Sequence, residues 1–474
     1  MRKQSLTLAA LCAATVIGLT TPVAATAAPT AAPAGSADFN GDGYPDLAVS
    51  ANAVTVAGRE RAGALSIQYG SPTGLQKPVV ITKDTPGVPG LPATYGRFGT
   101  PSSHGDVDGD GYTDLLVEGG SDAENRSTGI LVLRGSEDGI TGRYTGVLSY
   151  GAYTSGGTSV VPYKPQVGDV TGDGIADIVT QSNDGGKQGI AVLQGPLDPA
   201  TNEPAKVLYR DTQTLDGIYG SNLHVGDMTG DGIADIVASS YDKGVLLKGT
   251  PGGLVPAGSV LGSCDDRAFG DLNKDGYQDF ACSDSGMHTR GDGGGFTVTY
   301  GSSTGISTTL PVRYYNQDTA GVPGTAEVGD FFGNAVAIGD TDQDGYGDLL
   351  IGASSETGTD PEATFRAGAV TVLRGSATGV TTTGAKTLTQ DSAGVPSTSE
   401  KEDHFGSALS VIDTDKDGKP EVYVGGYGED GYAGRVWKLK TDAGGVTGTG
   451  ATSFNLTDLG GPARRAYFGW LTAG

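Results

Sequence analysis

The segment Asp106-Val-Asp-Gly-Asp-Gly-Tyr-Thr-Asp114 runs without a break into the apolar triplet Leu115-Leu-Val117, and the rest of the chain repeats it. Oxygen-bearing side chains stand at positions 1, 3, 5 and 9 of the nine, around a glycine at 6. That is the donor pattern a hard cation such as Ca²⁺ takes from a short loop. The same unit starts again at Asp38, Asp169, Asp227, Asp271, Asp340 and Asp413, giving seven copies spaced 44 to 73 residues apart. A unit distributed over the whole chain organises the fold as well as supplying sites.

The residues after each loop decide its type. An EF-hand carries a Glu at position 12 and continues as a helix. Here position 12 is Val49, Val117, Thr180, Ala238, Cys282, Ile351 or Val424, inside short β-type runs such as Leu47-Ala-Val49 and Leu349-Leu-Ile351. The loop therefore joins two strands. A third strand comes downstream, as in Ala64-Leu-Ser-Ile-Gln68 and Ala369-Val-Thr-Val-Leu373, closed by Gly-rich turns such as Gly70-Ser-Pro-Thr-Gly74. A fourth returns to an aromatic-Gly pair eight residues before the next loop: Phe98-Gly99, Tyr219-Gly220, Phe332-Gly333 and Phe405-Gly406.

Four strands per unit predict the blades of a propeller. The expected fold is all-β: a seven-bladed β-propeller over 38–474, with the cation loop between strands 1 and 2 of each blade. The chain ends Phe468-Gly469-Trp470, an inner-strand marker with no loop after it, whereas the first loop has no inner strand before it. The C-terminal strand is expected to complete blade 1 and so hide the sheet edges. Blade 4, at 44 residues, is expected to have a reduced or missing outer strand. Val161-Pro162 and Ser263-Cys264 replace the aromatic-Gly pair in blades 3 and 5.

The combination of Phe-Gly, Asp-x-Asp-x-Asp-Gly-x-x-Asp and a following Gly-Ala resembles the FG-GAP repeat of the integrin α-subunit N-terminal propeller. Phe332-Gly-Asn-Ala-Val336 through Gly352-Ala353, and Phe405-Gly-Ser-Ala-Leu409 through Gly425, carry it most clearly. The resemblance covers essentially the mature chain. It implies calcium in the loops and partner binding on the rim opposite them.

Position by position, the first loop offers Asp38, Asn40, Asp42, the Tyr44 carbonyl and Asp46; the second offers Asp106, Asp108, Asp110, Tyr112 and Asp114. The third offers Asp169, Thr171, Asp173, Ile175 and Asp177, and the fourth Asp227, Thr229, Asp231, Ile233 and Asp235. The fifth has Asp271, Asn273, Asp275, Tyr277 and Asp279, and the sixth Asp340, Asp342, Asp344, Tyr346 and Asp348. The seventh has Asp413, Asp415, Asp417, Lys419 and Glu421. Up to seven Ca²⁺ are expected, held more weakly where position 3 is uncharged. Such a cage fills the coordination sphere, so the ions are read as structural clamps; catalytic metals keep an open position.

The formal charge of −24 localises to these loops. They hold 24 of the 55 Asp and Glu at ligand positions, and the remaining 31 balance the 31 Lys and Arg. No basic patch with interleaved aromatics supports nucleic-acid binding.

Arg2 and Lys3, the apolar run from Leu6 to Leu19 and Ala25-Thr-Ala27 read as a signal peptide over 1–27, followed by an Ala/Pro-rich linker over 28–37. No later stretch is apolar enough to span a membrane. The expectation is a secreted, extracellular monomer. Cys264 and Cys282 flank the fifth loop as either a disulfide or a pair of buried thiols.

In an up-and-down blade the 1–2 and 3–4 turns share one rim. The longer 2–3 and 4–1 connections share the other, where binding residues are expected. Candidate contacts there are Arg59, Arg61, Arg126, Arg290, Phe365, Arg366, Tyr427 and Tyr432. Arg290-Gly-Asp292 is a tripeptide some integrins recognise, but chance matches are common in a chain this rich in Gly and Asp. Gly301-Ser-Ser-Thr-Gly305 fits a hydrolase elbow, yet the same turn recurs with Pro72 or Ala377 at the serine, so it is read as a turn. The histidines, His104, His224, His288 and His404, show no zinc spacing. No catalytic constellation emerges. The sequence reads as a non-catalytic binding or adhesion module for an extracellular protein or glycan. The alternative is a lectin or carbohydrate-active propeller.

Overall fold

The computed structural model describes residues 36–473, except 122–128, 143–145, 150–152, 156–157, 185–186, 212–221, 241–242, 262–263, 265, 285–292, 359, 361, 462–463 and 471. The signal peptide, most of the linker, Tyr219-Gly220, Arg126, His288 and the Arg290 tripeptide fall outside the described residues.

The protein is a seven-bladed β-propeller, with seven antiparallel sheets succeeding one another along the chain. Blade 6 shows the pattern: Phe332–Gly339 innermost, then Asp348–Ala353, Ala369–Arg374 and Thr381–Leu388 outermost. The second strand is buried along its whole length and the outermost largely is not. Central strands covered on both faces read as continuous apolar runs rather than alternating ones, which is what the triplets after each acidic loop were.

Seven buried clusters hold the molecule together, each formed between two neighbouring blades. Phe39, Leu65 and Ile67 of blade 1 meet Phe98, Leu115 and Leu133 of blade 2. At the other end of the series, Tyr423 and Val436 of blade 7 meet Leu47, Val49 and Phe468. The ring is thus packed at every junction, and each fully buried Phe or Leu contributes about 1.5–3 kcal/mol. Thr472–Ala473 pairs antiparallel with Leu47–Ala51, in the innermost place of the first sheet.

Blade 4 differs from expectation. Its outer strand is complete, Val255–Leu261, and its brevity comes from the short separation in sequence of the paired strands Asp235–Ser240 and Lys243–Lys248. Chain length had registered a short connection, not a missing strand. Blade 3 carries an extra inner segment, Thr154–Ser155, beside an eleven-residue strand Thr158–Gly168 that contains Val161-Pro162. In blade 5, Cys264 and Cys282 are joined by a disulfide. It ties the approach to the inner strand Arg267–Gly270 onto Asp279–Asp284.

Candidate functional site

The acidic loops share one hydrogen-bonded frame. At position 1, the Oδ2 of Asp38, Asp106, Asp271 and Asp413 accepts the amide of the position-6 glycine at 2.9 Å. That glycine is left-handed, φ 87° at Gly43 and 92° at Gly111, where a Cβ would be strained. At position 5, the Oδ1 of Asp42, Asp110 and Asp344 accepts the position-7 amide at 2.9–3.0 Å. Position 9 is buried and clasps two backbone donors. Asp46 accepts Phe39 N–H at 2.7 Å and Gly70 N–H at 2.9 Å; Asp279 accepts Leu272 N–H at 2.9 Å and Gly301 N–H at 3.0 Å. One side chain therefore fixes the loop's start and the neighbouring 3–4 turn.

These frames bring carboxylates together. In three sets, Asp106 with Asp108 and Asp114, Asp340 with Asp342 and Asp344, and Asp413 with Asp415 and Glu421, one oxygen from each residue lies within 4.8 Å of the others. The Oδ1 of Asp38 is buried without a hydrogen-bond partner. Burial pushes the carboxyls of Asp114 and Asp279 up to about 7, that of Asp46 to about 8, and those of Asp177 and Asp235 to about 6. Crowded, desolvated oxygens that resist ionising by themselves fit a hard divalent cation, whose charge would reverse that resistance.

Sequence reasoning missed a second source of positive charge. In blades 2, 3, 4 and 6 the residue before the 3–4 turn glycine reaches back toward its own loop. Arg134 Nη1 lies 3.2 Å from Asp108 and 3.0 Å from Asp114; Arg374 Nη1 lies 2.8 Å from both Asp342 and Asp348. Lys248 lies 2.8 Å from Asp231, and Gln194 donates to Asp173 at 2.9 Å. In blade 7, burial raises the Glu421 carboxyl, but Lys440 at 2.6 Å, Thr414 and Lys438 outweigh it and hold it below its usual range. In blades 1 and 5 the equivalent residues are Tyr69 and Tyr300, whose hydroxyls turn to the next blade and accept Ile140 and Val380 amides. The signal was available: the residue before Gly70, Gly135, Gly195, Gly249, Gly301 and Gly375.

On the opposite rim, neighbouring blades dock through an Ala-Gly pair on one and the Phe-Gly pair of the next. Phe98, Phe405 and Phe468 amides donate to the carbonyls of Ala62, Ala367 and Ala433 at 2.8–3.1 Å. A Cβ on Gly63, Gly368 or Gly434 would stand 2.1–2.2 Å from the facing Phe carbonyl oxygen, so only glycine permits this approach. The residues just before these pairs are forced into left-handed backbone: Arg61 and Arg97, Arg366 and His404, Tyr432 and Tyr467, all with φ between 51° and 69°. Each couple is joined amide to carbonyl at 2.9–3.2 Å, so two side chains per junction are set side by side on the rim. Left-handed backbone at a non-glycine residue costs about 1–3 kcal/mol and is retained where surroundings over-determine it.

Three consecutive junctions thereby build one surface. Tyr427 stacks on His404 with centroids 4.4 Å apart, lies 4.4 Å from Trp470 and 5.8 Å from Tyr467. Tyr432 and Tyr467 are 5.4 Å apart, and the Tyr432 hydroxyl donates to Glu402 at 2.7 Å. The Arg61 guanidinium lies 6.0 Å from the Tyr467 ring and 5.7 Å from that of Tyr95. Burial lowers the His404 imidazole, whose Nδ1 is 2.9 Å from the Ser354 carbonyl. Of the residues singled out from sequence, Arg61, Arg366, Tyr427 and Tyr432 join this surface. Phe365 lies at its edge under Arg366 and Lys401, and Arg59 sits apart in an exposed turn bridged to Val56. His404, Tyr467 and Trp470 were not anticipated. The residue preceding each Ala-Gly and Phe-Gly pair would have pointed to the first two.

Elsewhere, Ser303 occupies the tip of a tight hairpin between Gly301–Ser302 and Gly305–Ile306, with no helix after it. No helix among the described residues is long and apolar enough to cross a membrane.

Residues 31–67, 332–373 and 405–437 match the FG-GAP repeat. These three FG-GAP repeats fall in blades 1, 6 and 7 of the propeller. The chain is 35% identical over 109 residues to phosphatidylinositol-glycan-specific phospholipase D of Rattus norvegicus, a match spanning 22% of this chain and 12% of that protein. Its fold is similar to that of an Agrocybe aegerita lectin with specific recognition of non-reducing terminal N-acetylglucosamine. The TM-score is 0.51 at 16% identity, over 90% of this chain and 94% of the lectin.

Proposed function

We propose that this is an exported, calcium-clamped propeller acting as a non-catalytic binding module, with its ligand, an extracellular protein or glycan, on the rim opposite the acidic loops. The observation that carries the reading is the set of three left-handed side-chain pairs at successive junctions, held in strained backbone by the docking of Ala-Gly on Phe-Gly. Rigid scaffolding on one rim and presented aromatic and cationic side chains on the other is the division of labour a binding propeller needs. The acidic loops supply the scaffold: Ca²⁺ would be held by the side chains at positions 1, 3, 5 and 9 and would neutralise carboxylates that otherwise repel. The disulfide between Cys264 and Cys282 accords with an oxidising exterior. The lectin of similar fold makes a glycan the first ligand class to try. The calcium-loaded protein, probed against a glycan array and a panel of extracellular proteins, should bind in a manner lost in Tyr467→Ala and Trp470→Ala. Binding that survives both changes would overturn the assignment of this rim.

A further inference from the structure

Resting on that reading of the rim as the binding face, we propose that its ligand is a carboxylate-bearing sugar, a hexuronic or nonulosonic acid residue of a glycan. Two features of the surface point there together. The first is an aromatic floor. Trp470, more than a third exposed, lies 4.4 Å from Tyr427 and 6.3 Å from Tyr467, and these rings offer apolar faces with polar edges. Such a floor suits a ring-shaped ligand with C–H faces, and a bare phosphate or sulfate would gain nothing from it.

The second is positive charge with no acidic partner among the described residues. Among the described residues no ion pair engages Arg61, Arg97 or Arg366, in a chain whose net charge is −24. Three acids of blade 7 and its approach already have partners. Glu402 accepts the Tyr432 hydroxyl, Asp430 is held by Arg435 at 2.9 Å, and Glu429 accepts Gln390 at 2.7 Å and Ser397 at 2.8 Å. Arginines thus stand on both sides of the aromatic floor, at junction 6/7 and junction 1/2. A guanidinium presents a planar fork that matches a carboxylate. The free positive charge also disfavours a cationic ligand, which aromatic rings alone would otherwise suit. A sugar stacked on Trp470 with its carboxylate turned to an arginine uses both features.

The test titrates the calcium-loaded full chain with oligogalacturonate, its methyl ester, sialyllactose and lactose, measuring heat of binding and acrylamide quenching. Acrylamide reports Trp470, because the other tryptophan, Trp437, is fully buried. An acidic probe should shield Trp470, and its neutral counterpart should bind roughly tenfold more weakly or worse. Whichever acidic probe binds identifies the source of the carboxylate. The pair Arg61→Asn and Arg366→Asn, chosen because asparagine tolerates left-handed backbone, should weaken the acidic probe by about tenfold with unchanged melting. Equal binding of acid and ester with Trp470 shielded overturns the carboxylate and leaves the rim as binding face. Binding of an acidic peptide that is lost in Trp470→Ala, with no response to sugars, overturns the sugar and again leaves the rim. Acid binding untouched by every rim variant overturns both readings. No binding of any probe overturns the proposal.

Discussion

Asp38 and Thr113, 75 residues apart, are bonded in both directions: the Thr113 amide donates to the Asp38 carbonyl at 3.0 Å, and the Asp38 amide donates to Thr113 Oγ1 at 3.1 Å. The first residue of one acidic loop thus anchors the end of the next. The backbone bond recurs at four further junctions, with Ala176 on Asp106, Ala234 on Asp169, Gln278 on Asp227 and Gly347 on Asp271, but not at the last two, where position 8 is Pro420 or Pro45 and has no N–H. A cation seated in one loop therefore stiffens the junction to the next blade. Chelation should lower the melting temperature by about 10 °C or more, in one transition rather than several. An unchanged melting curve in excess EDTA would sink the calcium-clamp reading.

The position-9 carboxylates hold backbone even without an ion. Asp279→Ala would leave the buried amides of Leu272 and Gly301 without acceptors, at about 1–3 kcal/mol each. A loss of about 2–4 kcal/mol in urea unfolding is expected in EDTA, and a larger one in calcium, where a ligand position is lost as well. A change within about 0.5 kcal/mol would show that other acceptors replace it.

Arg374 bridges Asp342 and Asp348 in the sixth loop, partly exposed to solvent, so its worth is well below that of a sealed pair. Arg374→Met should cost about 1–2 kcal/mol in EDTA, where it is the loop's own cation. In saturating calcium the deficit should shrink, because the ion then supplies the charge. Equal deficits in the two buffers would mean that the arginine acts by packing alone.

The acidic loops and the strands after them were legible because glycine at position 6 and oxygen at 1, 3, 5 and 9 leave few alternatives, and apolar triplets directly behind exclude a helix. The assignment of connections to rims came from strand alternation. The rim surface itself was only half legible. Tyr427 and Tyr432 stood out as aromatics in a long loop, whereas Tyr467 and His404 each stand singly before a Phe-Gly pair with nothing local to mark them. Their role depends on a contact between blades, Ala433 with Phe468 and Ala367 with Phe405, that local periodicity does not encode. The internal cations were hidden for the same reason: Arg134 and Asp108 are 26 residues apart and meet only when strand 3 lies beside the loop.

The raised carboxyls give the metal-free protein an unusual pH response. Asp46, Asp114 and Asp279 titrate in the fold near 7 to 8, chiefly through burial, against 3.8 when unfolded. Protonation of a group whose folded pKa is the higher one favours the fold, so this contribution is complete below about pH 4 and is lost as pH rises through about 7 to 8. In EDTA the melting temperature should therefore fall between about pH 6 and pH 8.5, and calcium should flatten or reverse that slope. A metal-free protein that gains stability across this window would contradict the burial of these acids.

Phe468 tests whether the last junction is as tight as the others. Its ring is fully buried between blades 7 and 1, 6.0 Å from that of Phe454, as Phe405 is buried between blades 6 and 7, 5.0 Å from that of Trp437. Each truncation to Ala removes a complete aromatic from a closed core, at about 3–5 kcal/mol. Urea unfolding of Phe468→Ala and Phe405→Ala should give matching losses, because a ring is no stronger at one junction than at the next. If Phe468→Ala costs under about 1 kcal/mol while Phe405→Ala costs the full amount, the terminal segment is not a structural member of blade 1. Trp470, two residues on, would then lose the support that places it among Tyr427 and Tyr467.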